Sequence, residues 1–302
     1  MKRLSLGSRA RNSWVRLRSV LVQRVALPVL GLGPFRRSAL ALARSRFVIS
    51  TWLSRPVDRL LLTATPDLAE RAASVDELVE LFFDLCSMVP VGVFVEAGAK
   101  EADASQRAAA AGVAHVVAFE ANPYTHRRFA DGLARTNVDY RHLALSDRAG
   151  QVVFLVRRRE DGTPIADGQG SLLVRPDHAP GYEEATVTAV RLDDAGIPSG
   201  RIGMWVDVEG AVAEVFGGAG SVLARTDVLI VEVEATRRWE GQRWLAADVV
   251  DHLGATGLRA VGRDMQSRWQ FNTLFVRDEL LSDPRIAARV SEWRRGRSVP
   301  SR

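Results

Sequence analysis

The chain has 302 residues, ordinary globular composition and 25% charged residues, enough for one large domain or two modest ones. Its single cysteine, Cys86, excludes an internal disulfide and any cysteine-rich zinc site, and its apolar helical setting reads as a buried structural thiol. The net charge of +5 is uneven: residues 1–57 hold twelve Lys/Arg and no Asp/Glu, which leaves the remainder at −7.

Residues 1–59 read as a basic N-terminal extension. Trp14, Leu17, Leu21 and Val25 have helical spacing, with Arg11, Arg16, Arg18 and Arg24 around them. Arginines interrupt every apolar run before it reaches the ~18–20 residues of a membrane span. Arg24 also spoils the apolar section a signal peptide needs, so the expected location is cytoplasmic. The arm fits a peripheral contact with an anionic membrane, or an extension with no partner. Nucleic acid is disfavoured, because outside Trp14 little aromatic surface is interleaved for stacking.

From residue 60 to 302 the composition is that of a folded domain, with its core over 90–277. Thr65-Pro66-Asp67 is a helix start, and Ser74-Val75-Asp76-Glu77 has the pattern of a capping box opening a helix that turns Leu78, Leu81, Phe82 and Leu85 to one face. Val91 to Val95 is an apolar strand ending in the turn Glu96-Ala97-Gly98-Ala99. Ala102 to Ala111 is a helix, and Val116 to Phe119 a second strand that ends at Glu120. This is the βαβ half-unit of a doubly wound parallel sheet.

In such sheets ligands sit beyond the carboxyl ends of the strands. An acid about twenty residues after a glycine turn is placed to accept hydrogen bonds from a ribose diol. One glycine in place of GxGxxG weighs against a dinucleotide and leaves a nicotinamide-dependent oxidoreductase a minor reading.

Pro123 starts a helix to about Arg135, and Val138 to Leu145 reads as one strand ending in Ala144-Leu145-Ser146-Asp147, near where an adenine would lie. Asp147 reads as a contact to the base edge or as a cap of the following turn. Val152–Val156 and Thr186–Leu192 are short strands. The polar loop between them, 157–182, is a candidate acceptor-side lid with Ser171 and His178 as contacts. Ile202 to Val206 is an apolar strand ending in Asp207 and Glu209, which point the same way if the backbone stays extended. Both acids would face the mouth, to orient an acceptor hydroxyl, take its proton, or hold a divalent metal; the alternative is that Asp207 caps a helix over 211–223. Two carboxylates without a third ligand are a poor metal set, so no metal is expected. Val228–Val233 is a further strand closing with Glu232 and Glu234, and 258–261 with 272–276 form an antiparallel pair at the sheet edge.

Taken together, FVEAGA (94–99), VVAFEANP (116–123), LALSD (143–147), TAVRLDD (188–194), WVDVEGA (205–211), GGAGSVL (217–223) and VLIVEVE (228–234) resemble the FkbM family of S-adenosylmethionine-dependent methyltransferases. The resemblance implies a Rossmann-like sheet of seven strands, mostly parallel with an antiparallel edge strand. It implies S-adenosylmethionine as cofactor and methyl transfer to a hydroxyl on a sugar or secondary-metabolite acceptor. By the same resemblance Glu96, Gly98 and Ala99 line the methionine side, Glu120 holds the ribose hydroxyls, Ala144 and Ser146 flank the base, and Asp207 and Glu209 lie beside the transferring methyl. The first motif departs from the family pattern Asp-x-Gly-Ala-Asn-x-Gly at Glu96, Lys100 and Ala102, and Val212 stands where the family often has Glu. Those departures keep a second class of function open, a binding or scaffold protein that retained the fold and lost the reaction.

Overall fold

The computed structural model describes residues 68–295 apart from 166–168, 178–180, 265 and 268. The basic extension, Thr65-Pro66-Asp67, His178 and the C-terminal basic tail lie outside the described residues. Helix α1 (Leu68–Met88) leads into β1 (Val91–Ala97), α2 (Asp103–Ala110), β2 (His115–Phe119), α3 (Pro123–Leu133) and β3 (Val138–Arg141). Three shorter strands follow, β4 (Ala144–Leu145), β5 (Gly150–Arg157) and β6 (Tyr182–Val190). The chain then returns through β7 (Arg201–Val206), α4 (Val212–Gly217), α5 (Gly220–Arg225), β8 (Thr226–Glu234), α6 (Ala246–Ala255), β9 (Leu258–Arg263), β10 (Gln270–Arg277) and α7 (Pro284–Arg295).

The main sheet has seven strands in the order β3-β2-β1-β7-β8-β10-β9. β3, β2, β1, β7 and β8 pair in parallel, and β10 runs antiparallel to both β8 and β9. The antiparallel pair therefore closes the edge as expected, with the reversed strand one position in and β9 outermost. The chain winds outward from β1 to β3 and then back across to β7, so the topological switch point lies between β1 and β7.

Each face of the sheet is covered by helices. One core joins Val95, Val206 and Val231 to Phe216, Leu223 and Leu253 of α4, α5 and α6. The other joins Phe94, Val116 and Ile230 to Leu81, Phe82 and Leu85 of α1, with α2 and α7 beside it. Phe82 meets Phe94 and Trp205 edge-on, at ring-centroid separations of 6.0 and 5.7 Å. Cys86 faces the same layer, its Sγ 3.1 Å from where a Cβ on Gly203 would sit. Burial pushes its thiol pKa up, which leaves it inert.

Local signals were overridden at three places. Ser74 begins no helix: α1 runs through it, because the preceding Leu68–Ala73 segment is itself built of good helix formers, and Ser74 is buried. The stretch 138–145 is not one strand. Residues 138–141 pair with β2, whereas 144–145 leave the main sheet and pair with β6 in a separate three-stranded sheet, β4-β6-β5. The helix over 211–223 breaks into α4 and α5 at Gly217-Gly218. A Cβ on Gly218 would stand 2.3 Å from the Ser146 carbonyl oxygen, so the break lets the 146–147 backbone approach.

Candidate functional site

The strand register sets a row of side chains along the carboxyl rim. Ala97 aligns with Phe119 on one side and with Val206 on the other, and Val206 aligns with Val231. The next residue on each strand is therefore Glu120, Gly98, Asp207 and Glu232, in sheet order. The backbone knits the rim together: the Gly98 and Ala99 amides donate to the Phe119 carbonyl at 3.0 and 2.9 Å, and the Asp207 amide donates to the Ala97 carbonyl at 2.9 Å.

Above this row is an open cleft. Gly98, Glu120, Ala144 and Asp207 line it, as the sequence suggests. The residues that sequence reasoning missed are apolar: Phe119, Leu143 and Leu145 on the base side, and Phe154 and Leu172 from β5 and the loop after it. That loop is the predicted lid segment, and its Gly170 also lines the cleft. Ser171 is buried, and its hydroxyl donates to the Glu209 carbonyl at 2.7 Å, tying the loop to the Asp207–Gly210 turn. No sequence period announces Phe154 or Leu172, because their role depends on the second sheet folding over the first.

Other expected site residues stand behind the wall. Glu96 is 4% exposed and accepts the Ser105 amide at 2.8 Å, which satisfies an open N–H in the first turn of α2. Burial pushes its carboxyl up to about 8. Ala99 is packed under the turn in the core, and Ser146 is buried with its amide on the Val190 carbonyl. Asp147 is engaged by Arg243 at 2.8 Å, and Arg243 also holds Glu214 at 2.9 Å. Glu120, 6% exposed, accepts the Lys100 amide at 2.7 Å and the Asn122 amide at 2.6 Å. Burial lifts it to about 7, and each of its oxygens keeps capacity for a further donor such as a ribose hydroxyl.

Asp207 and Glu209 do converge, but by a turn instead of a pleat: β7 ends at Val206, and Glu209 has a left-handed φ of 47°. Asp207 does not cap a helix; α4 begins after Ala211 with no side-chain cap. Oxygens of Asp207, Glu209 and Glu232 lie within 4.8 Å of one another. Glu232 is thus a third carboxylate beside the two that the sequence paired, and the Gln270 amide nitrogen donates to Glu232 at 2.5 Å and to Glu209 at 3.4 Å. Glu234, one pleat further along β8, accepts from Trp239 Nε1 and Gln242 Nε2. Burial lifts Glu209 to about 8 and Glu234 to about 7, with neighbouring carboxylates adding to the shift.

The departures from the family's first motif also have a place. Lys100 and Ala102 both have left-handed backbone, at φ 47° and 58°, so Ala102 occupies a position that favours glycine. The Lys100 ammonium is turned to Glu101 at 2.9 Å, and the residue does not line the cleft. Tyr140 donates its hydroxyl to the Lys100 carbonyl and pins the turn from β3.

A mostly parallel sheet with this strand order, a glycine turn at the switch point, a carboxylate one strand over and acids on the strand beyond make an α/β fold with a ligand cleft at its switch point. Residues 92–276 match the methyltransferase FkbM domain model. The chain belongs to that family, whose members use S-adenosylmethionine. Among solved structures it is similar to magnesium protoporphyrin IX methyltransferase from Synechocystis PCC 6803 with bound SAM, at 14% identity and a TM-score of 0.39, over 68% of this chain and 78% of that one. It is also similar to a TehB-like SAM-dependent methyltransferase from Corynebacterium glutamicum ATCC 13032, at 12% identity and a TM-score of 0.33, over 67% and 87%. Likeness that distant adds nothing to the family assignment. No curated protein matches the chain significantly. Among the described residues no helix is long and apolar enough to cross a membrane.

Proposed function

We propose that this methyltransferase-family chain transfers a methyl group from S-adenosylmethionine to a hydroxyl oxygen of a sugar or secondary-metabolite acceptor. The observation that carries the reading is Asp207 Oδ1. It belongs to a side chain on the cleft wall, is screened from water, and has no hydrogen-bond partner among the described residues. An unpaired buried carboxylate oxygen is costly unless a ligand completes it.

The residues present fit the cofactor. Glu120 would accept the ribose hydroxyls, Ala144 and Leu145 would flank the base, and the Gly98 turn admits close approach. S-adenosylmethionine, when bound, supplies an electrophilic methyl carbon on a sulfonium. The chain then has to hold the acceptor oxygen about 3 Å from that carbon, in line, and receive its proton. Asp207 is the group that receives it, with Glu209 behind it in the turn. The wall of Phe154 and Leu172 keeps water off the reacting centre.

Of the two departures behind the scaffold reading, Lys100 is paired with Glu101 and stays off the cleft lining, whereas Ala102 keeps a left-handed backbone that favours glycine. Calorimetric titration with S-adenosylhomocysteine, followed by a mass-spectrometric search for a methyl gain on hydroxyl acceptors, tests the proposal. In Asp207→Asn, binding of S-adenosylhomocysteine should persist while transfer falls by about 10²–10⁴-fold. A variant with full activity removes Asp207 from the mechanism.

A further inference from the structure

Asp207 and Glu232 are neighbours across the β7–β8 ladder, each following the aligned pair Val206 and Val231. Their carboxyl oxygens lie within 4.8 Å of each other. Two carboxylates held that close and out of water do not both ionise without cost, and a proton kept between them removes the repulsion. Gln270 donates to Glu232 from β10 and fixes that side chain. Asp207 keeps Oδ1 unpartnered.

We propose that Asp207 and Glu232 are a proton-sharing carboxyl pair, in which Glu232 acts through Asp207 to set the charge on the cleft wall, and that a cationic ligand there expels the shared proton where a neutral one leaves it.

The surroundings favour retention of a proton in the empty cleft. Glu96 and Glu120 face Asp207 from β1 and β2, Glu209 from its own turn, and Glu234 from β8. Against these stand Lys100, which acts on Asp207 from the turn after β1, and Arg175, which acts on Glu209 from the long loop. Acids outnumber cations, and burial raises both members of the pair above the ordinary carboxylate range. A sulfonium brings one positive charge into this set; the thioether of the product does not. Glu232 is thus a positioning residue for the proposed reaction. It makes Asp207 a stronger base, in the way one acid of a shared-proton dyad raises the other.

The inference rests on the cofactor reading above, and two ligands separate the two claims. Full-length protein is titrated calorimetrically with S-adenosylmethionine and with S-adenosylhomocysteine, in buffers of different ionisation enthalpy and over a range of pH. The sulfonium ligand should release a larger fraction of a proton than the thioether. The ratio of their affinities should then climb with pH, by at most about tenfold per unit for one linked proton. In Glu232→Gln the difference in proton release should vanish while thioether affinity stays within about threefold, because that side chain does not line the cleft. Equal proton release for both ligands in the parent overturns the inference, as does a difference that survives in Glu232→Gln. Failure of both ligands to bind overturns the cofactor reading instead. Should Glu232→Gln not fold, Glu232→Asp keeps the acid but draws it back from Asp207. An unchanged pH dependence of the affinity ratio in that variant also overturns the pairing.

Discussion

Replacing Gly98 by alanine tests the geometry of the switch point directly. An added Cβ would lie 1.7 Å from the Asp207 carbonyl oxygen and 2.8 Å from its carbonyl carbon. Both are backbone atoms, so no side chain can swing aside; the ends of β1 and β7 must separate. The residue also has φ 76°, which costs an L-residue about 1–2 kcal/mol. Forcing atoms into a filled space adds roughly 1–3 kcal/mol. The sum, about 2–5 kcal/mol, corresponds to a fall in melting temperature of about 5–15 °C for a domain of this size. Because the displaced peptide is that of Asp207, methyl transfer should fall by about a hundredfold beyond any loss of folded protein. Thermal unfolding and S-adenosylhomocysteine titration of Gly98→Ala are the assays. A variant that melts with the parent and binds with the parent's affinity would refute the close approach on which the cleft is built.

Three further outcomes follow from the same turns and acids. Lys100→Gly should raise the melting temperature by about 1–4 °C, since relief of a left-handed lysine outweighs the loss of its pair with Glu101 and of its charge acting on Asp207; a lower value from a thermal melt contradicts this. Ser171→Ala should cost about 1–2 kcal/mol in denaturant unfolding, because a buried hydroxyl then no longer reaches the Glu209 carbonyl; no loss would detach the loop from the site. The ligand-free protein should lose stability between about pH 6 and pH 8. Glu96, Glu120, Glu209 and Glu234 are raised to about 8, 7, 8 and 7, so the folded state holds more protons than the unfolded one in that window, and stability present below the unfolded carboxylate range is lost as pH climbs through the folded values. Urea midpoints at the two ends measure it, and a rise toward pH 8 would contradict the burial of these acids.

The sequence reading succeeded where chemistry and period coincide. Strand ends at Glu120 and Asp207 carry an acid directly after an apolar run, and parallel pairing converts that one-dimensional position into a shared rim. Leu78, Leu81, Phe82 and Leu85 were legible because helical spacing alone fixes their face. Glu232 also ends an apolar run, but only the register between β7 and β8 brings it against Asp207. The second sheet was hidden because Ala144-Leu145 carries no mark of leaving β3 to pair with β6. Glu96 reads as a ligand acid from its place in the motif, yet folding directs its carboxylate to the Ser105 amide. Long-range strand pairing decides the first two cases and the fold of the β1–α2 turn the third, and local composition records neither.

The local costs of this fold are gathered in one place. Among the described residues, the non-glycine positions with left-handed backbone are Lys100, Ala102 and Glu209. They occupy two turns, one after β1 and one after β7, that face each other over the switch point. The raised acids Glu96, Glu120, Asp207, Glu209, Glu232 and Glu234 crowd the same rim. Elsewhere among the described residues Asp264 is raised by burial and Asp227 is buried against Arg201, while the strands are apolar and helices cover both faces. Strain and like charge persist together only where the surrounding structure enforces them, and a ligand that relieves both binds with that relief added to its contacts. On the proposed reading a cationic nucleoside would relieve the like charge at this rim, its positive charge offsetting the crowded acids and its hydroxyls completing Glu120. Ligand-free instability and selectivity for a sulfonium over a thioether are then two consequences of one arrangement.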